Sequence, residues 1–315
     1  MFKVEGRGRK AEGRVEGRAE DKVEGRAEGR AEGRAEGRAD GRAEGRAEGR
    51  AAEGTAGSRR RVALAVAGLV LLFSARGFTG QAASAPEPLW ETGTFSILGF
   101  DPATGEVGGA VQSRVFSVGN GVLWADADAG VAATQAIVDV GYGPKALELL
   151  RRKLPPEAIV KQIWEQDPDP LADAWTKQGR QFAVMNLKGE YAAFTGAKAS
   201  DWAGHRSGTF ATAQGNILAG PAVVDNMIAA FEKTAGHLSQ RLVAALEGGQ
   251  AGGGDKRGQQ SAALLIVKKN CGVWLHNDTV LRLQVDDHPQ PITELKRIVE
   301  KWNERRPRSV TPDCK

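Results

Sequence analysis

The sequence predicts an α+β domain over residues 94–305, built as a four-layer α-β-β-α sandwich of two mainly antiparallel sheets. Three observations lead there. Strand-like runs come in pairs joined by tight turns, helical runs come in consecutive pairs, and the strict strand–helix alternation of a doubly wound parallel sheet is missing. Paired helices that cover the outer faces of two stacked sheets give the four layers.

Thr94–Asp101 and Glu106–Arg114 read as two strands around Pro102-Ala103-Thr104-Gly105, with Pro and Gly in turn positions. Gly130–Val138 is a third strand candidate. Two helices follow, over residues 141–153 and 155–167, each with a proline near its first turn. Gln181–Leu187 and Glu190–Thr195 form a second hairpin around Lys188-Gly189. A helix starting at Pro221 puts Val223, Val224, Met227, Ile228 and Phe231 on one face, and Leu238, Leu242, Ala245 and Leu246 repeat that spacing in the next. Gln260–Val267 and Thr279–Val285 return to strand, and Ile292, Leu295, Val299 and Trp302 line a last amphipathic helix.

The 93 residues before Thr94 are of a different character. Residues 1–57 repeat Ala-Glu-Gly-Arg with almost no large apolar residue, so they cannot bury enough surface to offset chain entropy. That predicts disorder, or a start codon placed too far upstream. Residues 58–85 place Arg59, Arg60 and Arg61 before the apolar run Val62–Phe73 and then small residues up to Ala85. Twelve apolar residues are too short to span a bilayer but match a secretory signal. Export to the periplasm or beyond is the expectation, by the general route more than by the twin-arginine one. Residues 86–93 then form a short linker or propeptide, and 306–315 a tail.

Charge excludes one class of function. The chain carries a formal +4 and a pI near 9.1, yet residues 1–85 hold about 18 basic and 13 acidic side chains, leaving about 25 against 26 in the rest. The domain is near neutral and has no basic stripe, so no nucleic-acid partner is expected. Nor does a phosphate-binding glycine loop stand between strand and helix. Cys271 and Cys314 would sit in an oxidising compartment, where a bridge between loop and tail is compatible with their placement. No cofactor or metal is expected. Asp286-Asp287-His288 are consecutive and converge poorly, Asp126 and Asp128 lack the rest of a calcium loop, and His205, His237 and His276 lack partners at ligand spacing.

Four stretches, TFSILGFDPATGEVGGAVQSRVFSVG, WAGHRSGTFATAQGNILAGPAVVDNM, GGDKRGQQSAALLIV and VDDHP, resemble in the same order the family of bacterial and archaeal proteins called domain of unknown function 1028. The resemblance covers 94 to about 300. It implies the fold of the N-terminal nucleophile hydrolases, in which the catalytic residue is the first of the mature chain. That residue would be Thr94. A threonine hydroxyl needs an adjacent base, and a free α-amine on the same residue supplies one. The chain departs from this pattern, because cutting after Ala85 leaves Pro86–Gly93 in front of Thr94 and a second cut is needed.

The expected partner is a small molecule with an amide or related carbonyl, with no stable membrane anchor once the signal is removed; a homo-oligomer is compatible with the sequence. Asn216, at a strand end, is a candidate oxyanion donor or merely closes a turn. Arg257 could bind a substrate carboxylate, or pair with Asp255 to shape the glycine-rich loop. Ser113 and Arg114 close the second strand, Gln260 and Ser261 open a later one, and Asn277 with Asp278 form a polar cluster; all six are candidate substrate contacts. Trp124 and Trp202 flank motif loops and are candidate pocket walls. Two other readings remain: a secreted binding or structural protein that does not use the nucleophile, and a metal-dependent hydrolase built on the acidic clusters.

Overall fold

The first hairpin forms around the Pro/Gly turn, as β1 (Thr94–Asp101) and β2 (Glu106–Ser113), the second strand ending one residue before the expected Arg114. A computed structural model describes residues 93–199, 201–305 and 314. The readings for 1–57, 58–85, 86–92, 306–313 and 315 lie outside the described residues.

Ten strands and five α-helices follow one another among the described residues. After the hairpin come β3 (Leu123–Asp126) and β4 (Gly130–Ala136), then α1 (Tyr142–Arg151) and α2 (Pro156–Gln166). β5 (Arg180–Asn186), β6 (Tyr191–Thr195), β7 (Trp202–Gly208) and β8 (Ala211–Leu218) precede α3 (Ala222–Lys233) and α4 (Leu238–Ala251). β9 (Ser261–Val267), β10 (Thr279–Val285) and α5 (Pro291–Arg305) complete the domain. The strands form two antiparallel sheets, β10-β9-β2-β1-β8-β7 and β3-β4-β5-β6. β3 and β7 were not expected. Both are sheet edges, and β7 is only half buried along its length, so it lacks the alternation that marks a strand.

Period-two alternation sorts the side chains between layers. Phe95 and Ile97 of β1, Ala213 of β8 and Leu264 of β9 pack outward under Val223, Met227 and Phe231 of α3 and Leu242 and Leu246 of α4. Phe182 and Val184 of β5 pack outward under Tyr142, Leu150 and Ile159 of α1 and α2. Leu98, Val111, Val131, Ala183, Met185 and Leu265 fill the space between the two sheets. That apolar filling stops at one end. At the start of β1 the inward positions are polar instead: Thr94, Ser96, Gln135, Gln181, Gln214 and Asn216, all buried.

The turn between β9 and β10 carries Cys271, which is bonded to Cys314 with their Cα atoms 5.2 Å apart. No helix among the described residues is long and apolar enough to cross a membrane.

Candidate active site

Three neighbouring strands assemble the site. Thr94, the first residue of β1, pairs with Ser113 at the end of β2 on one side and with Asn216 near the end of β8 on the other. Thr94 is 2% exposed. Its Oγ1 donates to Ser113 Oγ at 3.1 Å, and Ser113 Oγ donates in turn to the Gly93 carbonyl oxygen at 2.5 Å.

The same carbonyl oxygen accepts from Arg257 Nη2 at 2.7 Å. The guanidinium is aimed by Asp255, which accepts from Arg257 Nε at 3.1 Å on Oδ1 and from Nη2 at 2.7 Å on Oδ2. The loop carrying this pair is fastened to β8: Lys256 N donates to Ile217 O at 3.0 Å, and Leu218 bridges Asp255. Arg114 Nη1 donates to the Arg257 carbonyl oxygen. A Cβ at position 93 would stand 2.8 Å from Arg257 Nη2 and 2.9 Å from Asp255 Oδ2, so the clamp fits closely around glycine.

β8 bends where it meets the site. The β7–β8 ladder passes from Trp202↔Leu218 to Gly204↔Gly215, so Asn216 and Ile217 together face the single residue Ala203. That is a β-bulge, a device that re-aims a side chain. Ile217 takes φ +53°, a left-handed conformation that costs a β-branched residue of order 1–3 kcal/mol.

Behind Thr94 lies the layer of amides. Gln135 Nε2 donates to Gln181 Oε1 at 2.8 Å and to the Thr94 carbonyl oxygen at 3.3 Å, and its Oε1 accepts from Ser96 Oγ at 2.5 Å. Asn216 Nδ2 donates to Gln181 Oε1 at 3.2 Å, and Gln181 Nε2 donates to Gly215 O at 2.9 Å and to Thr195 Oγ1 at 2.9 Å. Gln214 Nε2 donates to Ser96 Oγ at 2.6 Å. The bonds that Gln135 and Gln181 make to Thr94, Ser96, Gly215 and Asn216 tie the two sheets together at the Thr94 end.

In front of Thr94 opens a cavity of about 190 Å³. Val115, Phe116, Val118, Val122, Val138 and Val140 supply its apolar wall, with Thr94 and Gln135 among its polar residues. Both sides of the wall are anchored. Ser261 Oγ donates to Val115 O at 2.6 Å and accepts from Val118 N at 3.0 Å. Arg180 Nη1 donates to Ile137 O at 2.7 Å and Trp175 Nε1 to Val138 O at 2.7 Å. Arg180 is paired with Asp167, which also accepts from the Tyr142 hydroxyl at 2.5 Å. Burial raises the Asp167 carboxyl, but the hydrogen bonds from Tyr142 and the Asp169 N–H and the Arg180 guanidinium more than reverse this and lower its pKa. Burial, reinforced by the bond to Asp167 and its charge, holds the Tyr142 phenol well above its ordinary value.

The structure therefore gathers Thr94, Ser113, Asn216, Asp255 and Arg257. Ser261 serves the cavity wall, and Arg114 the Arg257 loop. Gln260 stands aside, donating through its amide to Asp287 at 3.2 Å. Asn277 and Asp278 are not at the site. They precede Thr279, which pairs with Val267 at the far end of β9 from Ser261, roughly 20 Å along the strand. There Asn277 Nδ2 donates to Val273 O and Asp278 Oδ1 accepts from Asn270 N, so both shape a turn. Trp124 and Trp202 do not line the cavity either: Trp124 donates to Thr134 Oγ1, and Trp202 packs against the core beneath α3 and α4. Asp286 and Asp287 accept from Ser117 and Gln260, and among the described residues no three metal-ligating side chains converge. The glutamines Gln135, Gln181 and Gln214 were missed. Their signal, polar residues at inward strand positions, is readable only once the facing sheet is known.

Comparison with known proteins gives a family. The model of a family described as "Family of unknown function (DUF1028)" matches residues 94–295. Among solved structures the chain is similar to protein SPO2555 from Silicibacter pomeroyi, itself ascribed to DUF1028, with 34% sequence identity and a TM-score of 0.59. That match covers 67% of this chain and 86% of the other. No curated protein matches the chain.

Proposed function

The chain belongs to the domain of unknown function 1028 family, and from that premise we propose that it is an exported hydrolase of N-terminal nucleophile type, acting on an amide or related carbonyl through Thr94 Oγ1. The observation that carries this reading is the position of Thr94: first residue of a central strand, at the inner end of a cavity, with its hydroxyl bonded to Ser113. The helices over the outer faces of both sheets support the sandwich that this hydrolase class uses. The Cys271–Cys314 bond supports an oxidising compartment.

The nucleophile has to be freed first, and the clamp on Gly93 supports a cut made by the chain itself. Thr94 Oγ1 adds to the Gly93 carbonyl carbon, and the developing oxyanion is held by Arg257 Nη2 and Ser113 Oγ, which already contact that oxygen. The bond from Gly93 carbon to Thr94 nitrogen breaks. The hydroxyl proton ends on the released amine, and Oγ1 carries an ester. Water hydrolyses the ester, leaving a Gly93 carboxylate and a chain that begins at Thr94.

Catalysis then uses the new amine, whose reference pKa of about 8 suits a general base near neutrality. It takes the Oγ1 proton as the oxygen attacks the substrate carbonyl and returns it to the leaving group. Water cleaves the acyl ester. Asn216, re-aimed by the bulge, is the oxyanion donor of this reading, a role often worth about 3–4 kcal/mol.

The test is intact mass and N-terminal sequence of the protein from its exported fraction. A chain starting at Thr94, with a Thr94→Ala variant that keeps its extension and takes up no acyl group, supports the proposal. A chain starting upstream with Thr94 in peptide linkage overturns it and favours a binding protein that uses the same cavity.

A further inference from the structure

We infer that the cavity in front of Thr94 takes an uncharged apolar group of about six carbons or one aromatic ring, flanking the carbonyl that Thr94 attacks. This rests on the hydrolase reading for its chemistry, but the binding itself does not.

Size sets the guest. The cavity measures about 190 Å³, and an apolar protein cavity of about 150 Å³ accommodates benzene. Charge sets its character. Among the described residues no charged side chain lines the cavity, and its polar side chains are engaged elsewhere. Thr134 Oγ1 donates to Gly121 O and accepts from Trp124, Ser117 Oγ donates to Asp286, and Gln135 is held by Gln181 and Ser96. A carboxylate entering here would lose its water with no cation to replace it.

The rim points the same way. Phe116 and Val140 stand at the mouth 68% and 49% exposed, two apolar side chains that a guest would cover. They do not lie on a loose loop. Ser117 is fixed at φ +57° with its N–H on Asp286 O, and Val138 O is held by Trp175, so the wall is built before any guest arrives.

The experiment uses the protein purified from its exported fraction, with propanamide, butanamide, hexanamide and phenylacetamide against the anionic succinamate. Binding is followed by ligand-observed NMR, and ammonia release is measured separately. Affinity should rise about fourfold per methylene up to hexanamide, and succinamate should bind at least tenfold more weakly than butanamide. Val140→Asp at the rim and Val122→Phe inside should each lower hexanamide affinity at least tenfold. Val140 is half exposed, so that variant keeps the test valid if Val122→Phe misfolds. Hexanamide binding without ammonia release supports this inference and sinks the hydrolase reading for these amides. Ammonia release with succinamate preferred does the reverse. Flat affinity across the series, or affinity unmoved by Val140→Asp, overturns the inference.

Discussion

Arg257 Nη2 donates at 2.7 Å to the carbonyl oxygen of Gly93, 164 residues earlier in the chain and one residue before Thr94. Its partner Asp255 has no exposed side-chain surface, so the guanidinium is held by a buried anchor. If this bond stabilises the oxyanion of self-cutting, Arg257→Ala should slow release of Thr94 by about 10²-fold. Arg257→Lys keeps a cation but not the planar fork, and should fall between the two. A mass-spectrometric time course of newly made protein reads the cut directly. Cutting of Arg257→Ala at the wild-type rate would remove the clamp from the mechanism.

Gln181 is the knot of the inter-sheet amide layer. Its Oε1 accepts from both Gln135 and Asn216, and its Nε2 donates to the Gly215 carbonyl. Gln181→Met keeps the volume and removes the bonds that Gln135, Asn216, Gly215 and Thr195 make to Gln181, each worth about 0.5–1.5 kcal/mol net. With partial relaxation the net loss should be about 3 kcal/mol, lowering Tm by roughly 6–12 °C for a domain of this size. Urea unfolding of the variant checks it, and a loss below 1 kcal/mol would mean the layer is not held by this residue.

Where a compact apolar run is bounded by turn residues, the sequence sufficed: β1 and β10 have the bounds expected of them, and α3 buries the five residues its periodicity names. β7 escaped because an edge strand buries neither face fully, and β3 because four residues hold too little pattern. The site divides the same way. Thr94, Ser113 and Asn216 end up adjacent because β2, β1 and β8 are sheet neighbours, an adjacency that motif order hints at and topology completes. Asn277 and Asp278 failed as site residues because the same topology sends the start of β10 to the opposite end of the sheet. The valines of the cavity carry no chemical signal in a sequence, since an apolar residue reads as core until a void is found beside it.

Asn216 pairs with Thr94 in the ladder and sits on a bulge whose next residue is strained. If Asn216 is the oxyanion donor, its bond acts in the transition state, and Asn216→Ala should lower kcat by about 10²-fold with KM little changed. A drop in affinity alone would assign Asn216 to substrate binding. Asn216→Asp tests the donor itself: it keeps the shape, loses the N–H, and should be as impaired as the alanine variant.

Asp167 links stability to the cavity wall. Its carboxyl is paired with Arg180, whose Nη1 holds Ile137 O, and the two side chains are 0% and 4% exposed. Removing the anion in Asp167→Asn leaves a buried guanidinium short of its partner and should cost about 3–5 kcal/mol at neutral pH. The pKa of Asp167 is lowered below its ordinary 3.8 by folding, so between those two values the unfolded chain binds more protons. Its contribution is therefore whole above about pH 5 and fades as pH falls through the folded pKa. The stability gap between wild type and Asp167→Asn should accordingly shrink in urea melts carried from pH 6 down toward pH 3. Because the freed guanidinium also loosens Ile137 and Val138, hexanamide binding at pH 7 should weaken in the same variant. A gap constant with pH would show that the carboxylate's charge is not what fastens that wall.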